Sequence, residues 1–226
     1  MTRGSSSRKH EQIVDCIRRI GWREFDYVEV AIYGSLIRGD FVGCISDIDV
    51  FIVSNKPIGK EEAKTIEEKI RRCAEAHELC YRDVDIAWCT LDEIQEGKCR
   101  FKFLTVYRGD FESNHEVVYG EPVHRSAPSH WDPCQRYMRL KEMYRRAASM
   151  KFKLIVLGEL IKLSLMLVGY HGPWDKRSIH TMLGKLGWRR EALIWRNYLS
   201  GVEPSNRIVE RVFEDIQRFL GEKCRD

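Results

Sequence analysis

The chain has 226 residues, a net charge of +4 and 43% apolar residues, an ordinary composition for a globular protein with one large or two small cores. No apolar run reaches the ~20 residues needed to span a bilayer; the longest, Leu154 to Val168, is broken by Gly158, Glu159 and Lys162. The leading MTRGSSSRKHEQ lacks the apolar segment of a signal peptide, so a cytoplasmic protein with no membrane partner is expected.

In chain order, Ser5–Ser7 are placed to cap a first helix, His10 to Ile20, with Ile13, Cys16, Ile17 and Ile20 as its apolar stripe and Gly21 as its stop. Val28 to Tyr33 and Asp47 to Val53 read as strands. Between them, Gly34-Ser35 forms a turn and a polar loop follows. Gly59 to Glu78 reads as a charged surface helix with Ala63, Ile66, Ile70, Cys73 and Ala74 inward, and Tyr81 to Trp88 as a third strand. Thr90 and Glu93 have the spacing of a capping box for a short helix. Phe101 to Tyr107 and Val117 to Tyr119 carry strand-like residues. Pro122, Pro128 and Pro133 punctuate an expected linker, residues 123–133, which divides a first domain, 1–122, from a second, 134–226. The second has no convincing strand pattern. Helices are predicted over about 134–149, 151–168, 176–186, 189–200 and 206–221. Ser205 is the N-cap of the last, and Ile208, Val212, Ile216 and Phe219 lie on one of its faces.

The chemistry concentrates in VAIYGSLIRGDFVGCISDIDVFIV, Val30 to Val53. Strand side chains alternate, so Asp47 and Asp49 project together while Ile48 and Val50 point into the core. Paired carboxylates repel unless a cation lies between them, and oxygen-only donors suit Mg²⁺ held together with substrate phosphates. The Gly34-Ser35 turn just upstream offers backbone N–H groups to a phosphate. Aspartate is a poor strand former, so two in one apolar strand need a reason.

Gly-Ser followed by Asp-hydrophobic-Asp in a strand resembles the signature of the DNA polymerase β-type nucleotidyltransferase superfamily. The resemblance is closest to its minimal and aminoglycoside-type members, and Arg38-Gly39-Asp40 and Ser46 fit it too. It covers about residues 25 to 122. It implies an α+β fold: a mixed β-sheet flanked by helices, then a C-terminal helical bundle that helps bind substrate. It also implies a third carboxylate on a neighbouring strand. Val84-Asp85-Ile86 supplies Asp85, preferred because apolar residues flank it, with Asp83 as a second candidate. The implied reaction moves a nucleoside monophosphate from a nucleoside triphosphate, ATP being the first choice, to a hydroxylated acceptor, with Mg²⁺ or alternatively Mn²⁺. Asp47, Asp49 and Asp85 would bind metal, and Gly34 and Ser35 the β- and γ-phosphates. Arg38, Lys151 and Lys153 are candidates to meet the triphosphate's charge. Glu142 and Arg146, four apart on one helix, read first as a surface ion pair.

Charge is unevenly placed. Residues 1–135 hold 19 Lys and Arg against 24 Asp and Glu, and residues 136–226 hold 19 against 10. A basic half beside an acidic one suits an anionic substrate with Mg²⁺. The eight cysteines, at 16, 44, 73, 80, 89, 99, 134 and 224, form no Cys-x-x-Cys pair, and are expected as free, mostly buried thiols rather than a zinc site. A protein adenylyltransferase of antitoxin type and a non-catalytic nucleotide- or RNA-binding module are the rival readings. A homodimer is left open. No basic-aromatic run supports nucleic acid as a partner.

Overall fold

The computed structural model describes residues 3–105, 107–127, 132–200 and 202–224. They divide into two compact units, Met1–His130 and Trp131–Asp226.

The first unit runs α1 (Arg3–Arg18), β1 (Tyr27–Tyr33), α2 (Ser35–Arg38), β2 (Ile48–Ser54), α3 (Lys60–Ala76), β3 (Val84–Thr90), α4 (Leu91–Gln95), α5 (Lys102–Thr105), α6 (Arg108–Ser113) and β4 (His115–Gly120). The sheet order is β3-β2-β1-β4. β1 pairs antiparallel with β2 and with β4, and β2 pairs parallel with β3. The sheet is therefore mixed, and both its faces are covered.

Alternation along the strands sorts the core into two layers. On one face Val30, Ile32, Ile48, Val50 and Ile52 pack with Ile13 and Ile17 of α1 and Ile66 and Ile70 of α3. On the other, Ala31, Tyr33, Phe51 and Val53 pack with Ile94, Phe101, Leu104 and Phe111. Phe101 stacks on Phe51 at 4.3 Å between centroids, with Phe111 edge-on to both. These aromatic residues explain a correction. The stretch expected as a strand over Phe101 to Tyr107 contains the helix α5, and Tyr107 is the N-cap of α6. A short apolar run cannot by itself tell strand from buried helix, and here the run covers a sheet face instead of extending the sheet. The first helix likewise begins at Arg3, before the serines expected to cap it. The Thr90–Glu93 capping box forms with both of its hydrogen bonds.

Part of the expected linker belongs to the first unit. Val123–Ser126 is a 3-10 turn. Its His124 is fully buried, donates its backbone N–H to Glu29 at 3.0 Å and pairs through its ring with the same buried carboxylate. Proline spacing marked the turn without revealing that partner, 95 residues away in sequence.

The second unit is helical: α7 (Pro133–Arg146), α8 (Met150–Leu167), α9 (Lys176–Lys185), α10 (Arg189–Ser200) and α11 (Asn206–Lys223). α8 is apolar nearly all round, as a central helix must be, and it packs against α7, α10 and α11. Tyr144 of α7 stacks on Phe213 of α11 at 3.8 Å. The buried face of α11 is Val209, Val212, Phe213, Ile216 and Leu220, turned about one position from the expected stripe. No helix among the described residues is long and apolar enough to cross a membrane.

The expectation of free thiols is overturned. All eight cysteines pair, as Cys16–Cys73, Cys44–Cys80, Cys89–Cys99 and Cys134–Cys224. Sequence spacing carries no information on such pairings, because the partners are neighbours only after folding.

Candidate active site

The site begins where β1 ends. Gly34 has φ 77° and ψ −149°, a combination open essentially to glycine alone. A Cβ there would stand 2.2 Å from Oδ2 of Asp49. Glycine is thus required twice, by its backbone angles and by the carboxylate beside it. The buried Ser35 opens α2, and Gly39 closes it in the left-handed conformation.

The loop from Gly39 to Asp47 is anchored to the segment that leads into β3. Cys44 N donates to Cys80 O at 2.9 Å, Arg82 N to Ser46 O at 2.9 Å and Ile48 N to Asp83 O at 2.9 Å. The Cys44–Cys80 disulfide closes the same junction. Within the loop, the Ser46 hydroxyl accepts from Val42 N at 2.9 Å. These ties fix the entry of β2 against the entry of β3, so the first residues of two parallel strands lie side by side.

Asp49 and Asp85 are register partners across that parallel pair, and Asp49 also faces Tyr33 of β1. Burial, then repulsion by Asp85, pushes the Asp49 carboxyl up to about 7; Lys102 opposes the shift, Asp47 adds to it and Arg38 opposes it. The Asp85 carboxyl is raised as well, mainly by burial, with Lys102 opposing. Lys102 and Arg38 offset the repulsion at Asp49 only in part, which leaves the pair with the electrostatic condition for binding a cation.

Asp47, just ahead of β2, is engaged differently. Arg82 grips both its oxygens, Nε donating to Oδ1 at 2.8 Å and Nη2 to Oδ2. Asp83 is exposed and accepts from Arg71 of α3 at 2.9 Å and from Val84 N. Asp83 is thus engaged by α3, while its charge still adds to the rise at Asp85. Arg38 is ion-paired with Asp110 of α6 at 3.0 Å and with Asp40 at 3.3 Å, bracing α2. In the second unit Lys151 is exposed at the start of α8. Lys153 pairs with Glu210 at 2.6 Å and lies over the Tyr144 ring. Arg146 pairs with Glu142 at 2.6 Å on the surface of α7.

The first unit therefore brings Gly34, Ser35, Asp47, Asp49 and Asp85 to one end of the sheet. Two residues there escaped the sequence reading. Lys102 lay in the stretch misread as a strand. Arg82 stands at the head of RDVD, a position suggestive only once the junction with Asp47 is known.

The first unit is thus a mixed sheet in which a Gly-Ser turn stands beside paired aspartates. Residues 14–103 match the family model of the nucleotidyltransferase domain. The match lies within the first unit, which is similar in sequence to the nucleotidyltransferase domain of transferase enzymes. Among solved structures, its fold is similar to that of spectinomycin adenyltransferase AAD(9) from Enterococcus faecialis, determined with ATP and spectinomycin. The TM-score is 0.62 at 15% identity, over 95% of this chain and 99% of that one. No curated protein matches the chain.

Proposed function

We propose that the protein transfers a nucleoside monophosphate from a nucleoside triphosphate, ATP by preference, to a hydroxyl of a small molecule, releasing pyrophosphate. The observation that carries this reading is the Asp49–Asp85 register pair beside Gly34, two carboxylates held side by side at a strand entry. The similarity to an adenyltransferase crystallised with ATP and a small molecule supports the choice of donor and acceptor class.

The donor set fits Mg²⁺ in its chemistry. Asp47, Asp49 and Asp85 present only oxygen, and their mutual repulsion calls for a cation. Among the described residues no three side chains already close into a metal cage, and Asp47 is held by Arg82. When bound, divalent cations supply charge neutralisation at the attacking and leaving oxygens of an in-line displacement.

The chain's own residues do the rest. Gly34 lets the backbone approach the β- and γ-phosphates, and Ser35 bounds them. The acceptor hydroxyl oxygen forms a bond to the α-phosphorus as the bond to the bridging oxygen breaks and pyrophosphate leaves. The Asp85 carboxylate, exposed at the strand entry and with its proton affinity raised, takes the hydroxyl proton. Incubation with α-labelled ATP, Mg²⁺ and a panel of hydroxylated small molecules tests the proposal. Label should move to an acceptor, and pyrophosphate should appear in equal amount. Label moving to a protein instead would favour an antitoxin-type adenylyltransferase, and nucleotide binding without transfer a non-catalytic module.

A further inference from the structure

Asp47 has both oxygens occupied by one guanidinium, and the backbone that carries it is tied in place beside Asp47. The Arg82 backbone N–H is bonded to Ser46 O, the residue before Asp47, and the Cys44–Cys80 disulfide closes the same junction two residues upstream of Arg82. Both side chains are largely shielded, 28% exposed for Arg82 and 19% for Asp47. A guanidinium fork matches a carboxylate in two-point geometry and does not lose its proton. Arg82 also bears electrostatically on Asp85, so it stands within reach of more than one anion of the cluster.

We infer that Arg82 is a positioning residue that holds Asp47 in the place of a divalent cation and gives it up when the cation binds. This inference rests on the proposed role of Asp47 as a metal ligand. A cation that takes an oxygen of Asp47 must displace at least one arm of the fork, because Mg²⁺ and Mn²⁺ demand close, directed contact with oxygen. The displaced guanidinium keeps its charge and turns to the anion nearest it. Where nucleotide is present, that anion is the triphosphate. Metal and nucleotide then bind cooperatively, since each offers one half of the broken ion pair a new partner.

The test is Mn²⁺ titration of the nucleotide-free protein followed by electron paramagnetic resonance, with wild type, Arg82→Gln and Arg82→Lys. Removing the competitor should tighten Mn²⁺ binding about fivefold or more in Arg82→Gln, with Arg82→Lys in between because an ammonium cannot hold both oxygens at once. Without divalent metal, Arg82→Gln should melt below wild type, and Mn²⁺ should close the gap. Unchanged or weaker Mn²⁺ binding in both variants, with wild type still binding Mn²⁺, would overturn the inference and leave Arg82 a structural brace. Binding of Mn²⁺ to none of the three would overturn it together with the metal-binding reading of the site. Arg82→Lys keeps the comparison readable should the glutamine variant fold poorly.

Discussion

Glu159, buried in the helical core of the second unit, has a cation for each oxygen, Lys162 at 3.1 Å and Arg136 at 3.6 Å. Asp49, at the entry of β2 in the first unit, stands against another carboxylate, and burial and repulsion raise its affinity for a proton. We propose that the surroundings differ because the tasks differ. A carboxylate that serves packing is neutralised within the fold. One that serves chemistry keeps repulsion that nearby cations offset only in part, so that a ligand can balance it. Lys153–Glu210 and Arg190–Asp215 follow the first pattern, and Asp85 the second.

The sharpest way to break this contrast is kinetic. Asp49→Ala should lower nucleotidyl transfer on the order of 10³-fold or more, while thermal melting of the metal-free protein stays level or rises, because a repelling charge has gone. Near-normal turnover in the variant would end the assignment.

The next effect concerns pH. The Asp49 carboxyl ionises at about 7 in the fold against an ordinary 3.8. Its contribution to stability is therefore fully present below about pH 4 and is lost as pH rises through 7. In the presence of a chelator, wild type should lose on the order of 3 kcal/mol relative to Asp49→Asn between pH 4 and pH 8. Parallel stability profiles from chemical denaturation of the two proteins would contradict the origin given for the shift.

Glu159→Ala sharpens the other side. It strands Arg136 and Lys162 beside an apolar core and should cost about 1–3 kcal/mol in a denaturant titration, with ATP affinity of the folded protein unchanged. The smallest effect is expected at Arg146, whose side chain is 80% exposed in its pair with Glu142. Arg146→Ala should move stability by less than about 0.5 kcal/mol, as read by the melting temperature. A larger loss would mean that the pair belongs to a wider network.

Much of this was legible beforehand, for identifiable reasons. The alternation of Ile48, Val50 and Phe51 told which side chains share a face, and all three lie as that period requires. The helices of the second unit were readable from their 3.6-residue periodicity, and α4 from its capping box. What stayed hidden is tertiary. Arg82 meets Asp47 across 35 residues of sequence, and no local pattern encodes that meeting. The same holds for His124 on Glu29 and for the four cysteine pairings. Phe101 was misread because an aromatic residue lining a sheet face and one within a strand look alike in sequence.

The cystine connectivity also shapes the protein when it is not folded. Three bridges lie within the first unit and one, Cys134–Cys224, within the second; none joins the two. Cys44–Cys80 starts inside the loop closed by Cys16–Cys73 and ends outside it, so those two loops are interlocked. Drawn out by its ends, the oxidised chain takes the short cuts through sulfur from residue 16 to 73, from 89 to 99 and from 134 to 224. It spans roughly a third of the contour that the reduced chain would reach. Oxidised, this molecule is a string of closed rings and not a thread, and its denatured ensemble stays small however strong the denaturant.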